Sequence, residues 1–117
     1  VENDDKASLY STQELYDEVY NRIGIPIVHD QHHHHFCTGG LDNEEATLLA
    51  AMTWGDVTPV IHYSQSRSIE HNDPKIKANA HSDSYWEPVN TYGLDLDVML
   101  ECKHKEIGLF KMRELLS

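Results

Sequence analysis

Hydrophobic positions near the start of the chain follow a helical pattern. The apolar side chains recur every four residues, at Leu15, Val19 and Ile23. Ser11 and Glu14 have the spacing of a capping box, in which each side chain accepts from a free backbone N–H of the other residue. Gly24 can adopt the left-handed conformation that ends a helix. The pattern predicts a first helix that begins after Ser11 and ends at Gly24.

Three short apolar runs are typical of strands, and each one ends in polar side chains. They cover residues 25–28, 57–63 and 96–101. The first run is continuous rather than alternating, which is typical of a parallel strand covered on both faces. A fourth strand is expected to end near Glu2. Residues 68–94 are polar and rich in turn formers, and a loop of that length in a compact domain is usually functional.

Helical patterns separate or follow these strands. Asp42 or Asn43 can cap a second helix that ends at Gly55, and its expected buried stripe is Leu48, Leu49 and Met52. Residues 105–116 form the last predicted helix. Strand starts near residues 25, 57 and 95 are spaced as in consecutive βα units. The chain is therefore predicted to be a single α/β domain, residues 1–117, with three to four βα units and a parallel sheet.

Composition narrows the classes of function. The chain has 9 Lys and Arg against 20 Asp and Glu, a net charge of −11, and 9 His. This balance argues against a surface that grips phosphates throughout and favours carboxylates and imidazoles gathered around cations. Two cysteines without a disulfide framework suggest a reducing, cytoplasmic location. We expect no membrane span and no signal peptide, and the first residue, Val1, suggests a piece of a longer protein.

Candidate metal ligands lie at or just after the ends of the predicted strands. They are Glu2, Asp30 with His32 and His33, His62, and Glu101. In a (β/α)₈ barrel that rim carries the active site. A mixture of imidazole and carboxylate suits Zn²⁺, Mn²⁺ or Fe²⁺ better than Mg²⁺ or Ca²⁺.

Each candidate also has an ordinary structural explanation. The run of histidines from residue 32 to residue 35 could be a tag, although its place between a strand and a capped helix argues against that. His62 could be a core histidine, and Glu101 could pair with Lys103 or Lys105. His81, His71 and His104 could simply be exposed, and the last two are expected to be.

Five segments together resemble the UV damage endonuclease family. They are Glu2-Asn3-Asp4-Asp5, Asp30-Gln31-His32-His33-His34, the segment from His62-Tyr63-Ser64 to Arg67, His81-Ser82-Asp83, and residues 99–106, Met-Leu-Glu-Cys-Lys-His-Lys-Glu. The resemblance runs through nearly the whole chain and implies a partial (β/α)₈ TIM barrel, about the last four βα units. It also implies that the other barrel half, with further metal-binding histidines and lesion-probing residues, is not in this sequence.

What the resemblance implies for function is specific. Members of the family nick damaged double-stranded DNA on the 5′ side of UV photoproducts or abasic sites. They use a cluster of divalent metal ions, which the resemblance implies is Mn²⁺ here, with Zn²⁺ or Mg²⁺ as alternatives. The implied metal ligands are Glu2, Asp30, His33, His62, His81 and Glu101. Of these, Glu2, Asp30, His62 and Glu101 are also implied to be catalytic, and Arg67 and Lys103 to bind substrate. Val60 stands where the family has a lysine, and the 117 residues alone are expected to be inactive.

Two alternatives remain open at this stage. Another metal-dependent TIM-barrel enzyme, such as a sugar isomerase or epimerase, would use similar ligands at the same rim, with Trp54 and Trp86 available to line a sugar pocket. A non-catalytic half-barrel would leave strand edges exposed, and we expect a homo-oligomer in that form because free edges pair readily.

Overall fold

The computed structural model describes residues 1–117 and consists of a small parallel sheet with helices packed on one face. The elements, in chain order, are α1 (Thr12–Leu15), a π-helical stretch (Tyr16–Tyr20), α2 (Asn21–Ile23), β1 (His29–Asp30), α3 (Gln31–His34), α4 (Asn43–Met52), β2 (Val60–Tyr63), α5 (Arg67–Glu70), β3 (Asp97–Leu100) and α6 (Glu106–Leu116). None of these helices combines the length and the hydrophobicity that spanning a lipid bilayer requires.

The sheet is parallel and has the order β1-β2-β3. A parallel bridge between Glu2 and Val28 places the first segment, residues 1–3, beside β1 on the side away from β2. In the register, Asp30 lies opposite His62, and His62 lies opposite Met99. Side chains alternate between the two faces of a strand. The face that carries Asp30 and His62 is therefore the one that would line the barrel interior.

The other face of the sheet packs against the helices in two apolar clusters. One joins Leu15, Ile27 and Ala50 between the first helical segment and α4. The second cluster comprises Ile61, Tyr85, Val89 and Met112, and it holds α6 and the segment around residues 85–89 against β2 and β3. This arrangement fixes the strand ends that carry the polar residues.

Local capping signals in the sequence are confirmed. Ser11 accepts from the Glu14 N–H at 3.2 Å and forms the predicted capping box, and Asp42 forms another with Glu45. Gly24 ends α2 at φ +70°, in the left-handed region. Each of these contacts joins residues that are close in the sequence, so it can form without contacts to distant segments.

The predicted strand at residues 25–28 is wrong in position, because β1 is His29–Asp30. Pro26 has no N–H, and the Ile27 N–H donates to Thr53 Oγ1 at 2.9 Å instead of to a neighbouring strand. β2 likewise begins at Val60, directly after Pro59, and not at Val57. Prolines thus shorten both strands from their amino ends.

Two helix faces also differ from the prediction. In α4 the buried side chains are Ala46, Thr47 and Ala50, whereas Leu48 and Met52 are 43% and 56% exposed. Small residues let α4 lie close to α1 and β1, and the larger ones face an open groove.

In the first helical segment, Ile23 is 66% exposed. The π-helical stretch before it inserts extra backbone in a turn and rotates the face that follows. The remaining shifts are small: β3 lies within the predicted strand, α6 begins one residue later, and α5 occupies the start of the predicted loop.

Candidate metal centre

Four of the candidate ligands converge on the inner face of the sheet. Asp30 and His62 are register partners on β1 and β2, and Glu101 follows the end of β3 by one residue. Glu2 joins from the first segment through its bridge to Val28, which is two residues before Asp30 and therefore on the same face. The side chains of Glu2 and Glu101, which are 99 positions apart in the chain, thus meet at one rim.

The imidazole of His62 lies at the centre of this group. Its Nδ1 is 3.0 Å from Glu2 Oε1, 3.2 Å from Glu101 Oε1 and 4.0 Å from Asp30 Oδ2. Three carboxylates around one ring nitrogen concentrate negative charge at a half-buried position. Such an arrangement is stable only with a positive charge among the carboxylates, either a proton or a cation.

α3 holds Asp30 and His33 together. Asp30 is the N-cap, and its Oδ1 accepts from the N–H groups of His32 and His33, both at 2.9 Å. The cap turns the chain by one helical turn, so that His33 Nε2 lies 3.5 Å from Asp30 Oδ2. This is the turn that lets residues 30 and 33 face the same point, which an extended segment could not do.

The second oxygen of Asp30 is the atom of this group best placed to bind a cation. Asp30 is 1% exposed, and Oδ2 is buried without a hydrogen-bond partner. A buried carboxylate oxygen without a partner is costly unless a cation or a donor satisfies it. Three ligand atoms, one each from Glu2, Asp30 and His33, lie within 4.8 Å of one another, and so do those of Asp30, His62 and Glu101. Asp30 belongs to both groups, so the residues fit a centre of one or two divalent cations.

The pKa values of two groups show the same tension. Partial burial and the neighbouring Asp30 carboxyl raise the pKa of Glu2, and the attraction of His62 only partly opposes this. For His33, burial alone lowers the pKa, but the hydrogen bond to the Asn3 carbonyl and the carboxylates of Asp30 and Glu2 outweigh burial and raise it. Both shifts therefore favour the protonated side chains, as expected where carboxylates are crowded together.

Three other predicted site residues lie outside the two groups. His81 is half-buried, and its ring centroid is 5.9 Å from that of His32, whose Nε2 is buried without a partner. Arg67 Nε is 3.9 Å from Asp83 Oδ1. Lys103 is exposed, and its N–H donates to the Ser82 carbonyl at 3.0 Å.

The structure also shows contacts that the sequence reasoning missed. Asn3 is 1% exposed and hydrogen-bonds to Asp30, and only its place directly after Glu2 hinted at a role. His71, expected to be simply exposed, has its Nε2 2.7 Å from Asp83 Oδ2 and 3.2 Å from Glu70 Oε1. That contact, together with the charge of Arg67, lowers the pKa of Asp83.

Val60, two residues before His62, has no atom that could bind a metal. Val60 lies two residues before His62 on β2 and therefore points to the same face. An aliphatic side chain cannot coordinate a cation, so the centre in this chain depends on the carboxylates and imidazoles already described.

Comparison with known proteins is consistent across sequence and structure. The family model described as UV-endonuclease UvdE matches residues 1–117. The chain is 26% identical over 125 aligned positions to the UV DNA damage endonuclease of Bacillus cereus strain B4264, and 32% identical over 124 to that of Halalkalibacterium halodurans. Each match covers 100% of this chain and 37% of the relative.

A more distant organism and a solved structure extend the likeness. The UV-damage endonuclease of Schizosaccharomyces pombe is 31% identical, with 96% of this chain and 19% of that protein covered. The crystal structure of SacUVDE superposes with a TM-score of 0.76 at 31% identity, over 98% of this chain and 38% of that one. The predicted fold, a partial TIM barrel, is confirmed by this match. The chain spans little more than a third of the bacterial relatives it matches.

Proposed function

Because the chain belongs to the UV-endonuclease UvdE family, we propose that the protein containing it is a metal-dependent DNA repair endonuclease that nicks damaged double-stranded DNA 5′ to UV photoproducts or abasic sites. The observation that carries the metal dependence is the buried Asp30 Oδ2, which has no partner and lies between two sets of ligand atoms. The relatives' names supply the substrate class, damaged DNA.

The residues that would hold the cations are Glu2, Asp30, His33, His62 and Glu101. When bound, divalent cations would lower the pKa of water and stabilise charge on a phosphodiester undergoing hydrolysis. We propose Mn²⁺ as the cation for this mixed set of imidazoles and carboxylates, and Zn²⁺ as the first alternative. Mg²⁺, which prefers oxygen ligands, is the second alternative. His81 remains a proposed further ligand, since its imidazole faces the same rim from the 68–94 segment and lies beside His32.

The chain's own residues prepare the centre in two ways. The α3 cap holds the Asp30 carboxylate so that one oxygen binds backbone and the other faces the rim. Carboxylates from three strand ends also make the rim negative, and bound cations are needed before a phosphate could approach. Arg67 and Lys103 are proposed to contact the phosphate backbone, because both follow strand ends next to the centre.

The test uses the complete protein with UV-irradiated and unirradiated plasmid in Mn²⁺. We expect nicking of the irradiated plasmid only, and its loss in Glu101→Gln, which removes charge and keeps the side-chain shape. The matched control is Glu44→Gln, on the exposed first turn of α4, which should nick like the wild type. Equal nicking by wild type and Glu101→Gln, or none by either, would contradict the proposal.

No structural observation favours the isomerase alternative. Trp54 donates its Nε1–H to the Ile27 carbonyl at 2.8 Å, and Trp86 lies beside Ile69 and Tyr85. Neither indole lines the carboxylate and imidazole group, so the chain offers no aromatic wall for a sugar there.

We also propose that the 117 residues, if produced alone, self-associate. β3 pairs with β2 on one side only, and Met99 and Leu109, which line the same open surface beside β3, are 53% and 38% exposed. A free strand edge with apolar neighbours readily pairs with another copy. Light scattering should show a dimer or larger species, and a monodisperse monomer would refute this part.

A further inference from the structure

Asn3 is buried at the junction between the first segment and β1. Its Oδ1 accepts from the Asp30 N–H at 2.7 Å, and its Nδ2 donates to the Asp30 carbonyl at 3.0 Å. In a parallel ladder, one neighbouring strand would normally satisfy both of these backbone groups. The Asn3 side chain takes the place of that strand, so one amide fixes the backbone of Asp30.

The backbone of Asn3 controls a second candidate ligand. Its carbonyl oxygen is 2.8 Å from His33 Nδ1. Because a carbonyl can only accept, Nδ1 must carry the proton, and the neutral ring then has its lone pair on Nε2. That nitrogen lies 3.5 Å from Asp30 Oδ2, on the side where a cation would sit.

Resting on the proposed function, we propose that Asn3 is a positioning residue that sets Asp30 and His33 for the cation. It neighbours Glu2 in the chain, binds the backbone of Asp30 with its side chain and fixes the His33 tautomer with its carbonyl. Three ligands of one proposed centre thus depend on one residue that contributes no ligand atom itself. Outer partners that orient ligands typically change metal affinity by about 10- to 100-fold when they are removed.

The primary test compares Asn3→Ala with a control that loses as many buried hydrogen bonds elsewhere. Thr53 is 5% exposed, and its hydroxyl accepts from the Ile27 N–H at 2.9 Å and donates to the Ala50 carbonyl at 2.6 Å. Mn²⁺ affinity is measured by calorimetry on the complete protein, well below each variant's melting midpoint. Asn3→Ala should weaken binding about 10- to 100-fold, and Thr53→Ala should change it less than about twofold. Equal weakening in both variants would show a merely structural role and overturn the proposal.

Asn3→Asp gives a second, isosteric test in case Asn3→Ala does not fold. It keeps an acceptor for the Asp30 N–H but sets a carboxylate oxygen against the Asp30 carbonyl. If only charge mattered, an added carboxylate beside the centre would tighten Mn²⁺ binding. Positioning predicts weaker binding despite the added charge, and tighter binding would overturn the proposal.

A metal-free readout separates this proposal from the proposed function. Asn3→Ala keeps the backbone carbonyl but loses the two side-chain hydrogen bonds to Asp30 that hold this backbone in place, so the carbonyl should no longer be fixed against His33 Nδ1. At a pH where the His33 ring is neutral, its side-chain ¹⁵N shifts should therefore show a protonated Nδ1 in the wild type and a mixture of tautomers in Asn3→Ala. Unchanged shifts in the variant would overturn the positioning role. Absence of Mn²⁺ binding by the wild type would instead refute the metal-dependent function, while the tautomer measurement would still decide what Asn3 does.

Discussion

His29 and Asp30 are the two residues of β1, and they show opposite treatments of a buried polar group. His29 is 0% exposed, and both ring nitrogens have partners: Thr12 Oγ1 at 2.7 Å and Asn43 Oδ1 at 3.0 Å. The Asn43 amide continues the network by donating to Tyr92 OH at 2.9 Å. Asp30 is 1% exposed, yet its Oδ2 has no partner.

The difference separates a structural polar residue from the residue that we propose to be a ligand. Because successive side chains point to opposite faces, His29 faces the helices, where hydroxyl and amide groups complete its hydrogen bonds, and Asp30 faces the rim. A fully satisfied network holds helices in place, whereas an unsatisfied carboxylate keeps a strong ligand available. In the proposed centre, a bound cation would offset the free-energy cost of burying Oδ2 without a hydrogen bond.

The largest effect on activity is expected from a substitution of Asp30, whose Oδ2 has no hydrogen-bond partner. Asp30→Asn keeps an oxygen to cap α3 but loses the charge at the proposed centre. Loss of several kcal/mol of cation interaction should reduce nicking by the complete protein about 1,000-fold. The melting midpoint without metal should stay level or rise, since a repulsive buried charge is removed.

Asp42→Asn is the matched control for that substitution. Asp42 is the N-cap of α4 and accepts from the Glu45 N–H at 2.8 Å, as Asp30 does in α3. It should leave nicking unchanged. A lower melting midpoint with full activity in Asp30→Asn would contradict the assignment of Asp30 to the centre.

The buried and fully hydrogen-bonded His29 should make the free energy of unfolding depend on pH. Burial lowers the pKa of His29 to about 4 from its usual 6.5, so the folded protein keeps the ring neutral. Below pH 6.5 the His29 ring is protonated in the unfolded chain but stays neutral in the folded chain. The contribution of His29 to the free energy of unfolding is therefore fully present above pH 6.5 and decreases between pH 6.5 and pH 4. The loss is about 3 kcal/mol at pH 4.

Urea unfolding of the complete protein at several pH values, with and without His29→Gln, checks this. The variant lacks the titrating ring and should lose that part of the pH slope, although it is less stable at pH 7. Parallel slopes for the two proteins would show that His29 is not the responsible group.

A smaller effect is expected one bond away from His29. Thr12 is 0% exposed and its hydroxyl donates to His29 Nδ1. Thr12→Val keeps the shape and leaves that nitrogen unpaired, which should cost about 1–3 kcal/mol of unfolding free energy. Thr12→Ser retains the hydroxyl and should recover most of the difference. Mn²⁺ affinity should be the same in both, and a large change there would mean that the two sides of β1 are not independent.

Sequence reasoning succeeded where the cause was local. The Ser11 and Asp42 caps and the Gly24 stop depend on neighbours within a few residues, and the structure has all three. The meeting of Glu2 with Glu101 followed from a general property of parallel sheets, whose strand ends share one rim. The roles of these residues as ligands remain predictions.

The rest depended on contacts between distant segments. The first strand begins later than predicted because Pro26 lacks an N–H and the Ile27 N–H donates to Thr53 rather than to a neighbouring strand. In α4, Ala46 is buried instead of Leu48 because close packing of the helix favours small residues. The buried amide of Asn3 could not be recognised without knowing which backbone groups it faces. His71 is exposed, as expected, but its contact with Asp83, 12 residues away, is not evident from the sequence.

The pairing of His62 with Asp30 and Met99 has a consequence for how the molecule assembles. A slip of β2 by one residue would turn His62 into the apolar cluster and bring Ile61 to the rim. Only the correct alignment of the strands would bring the proposed ligands to one cation, and a ligand that binds only the native state shifts the folding equilibrium toward that state. Bound metal ions would thus stabilise the native register of the strands selectively over registers that are shifted by one residue.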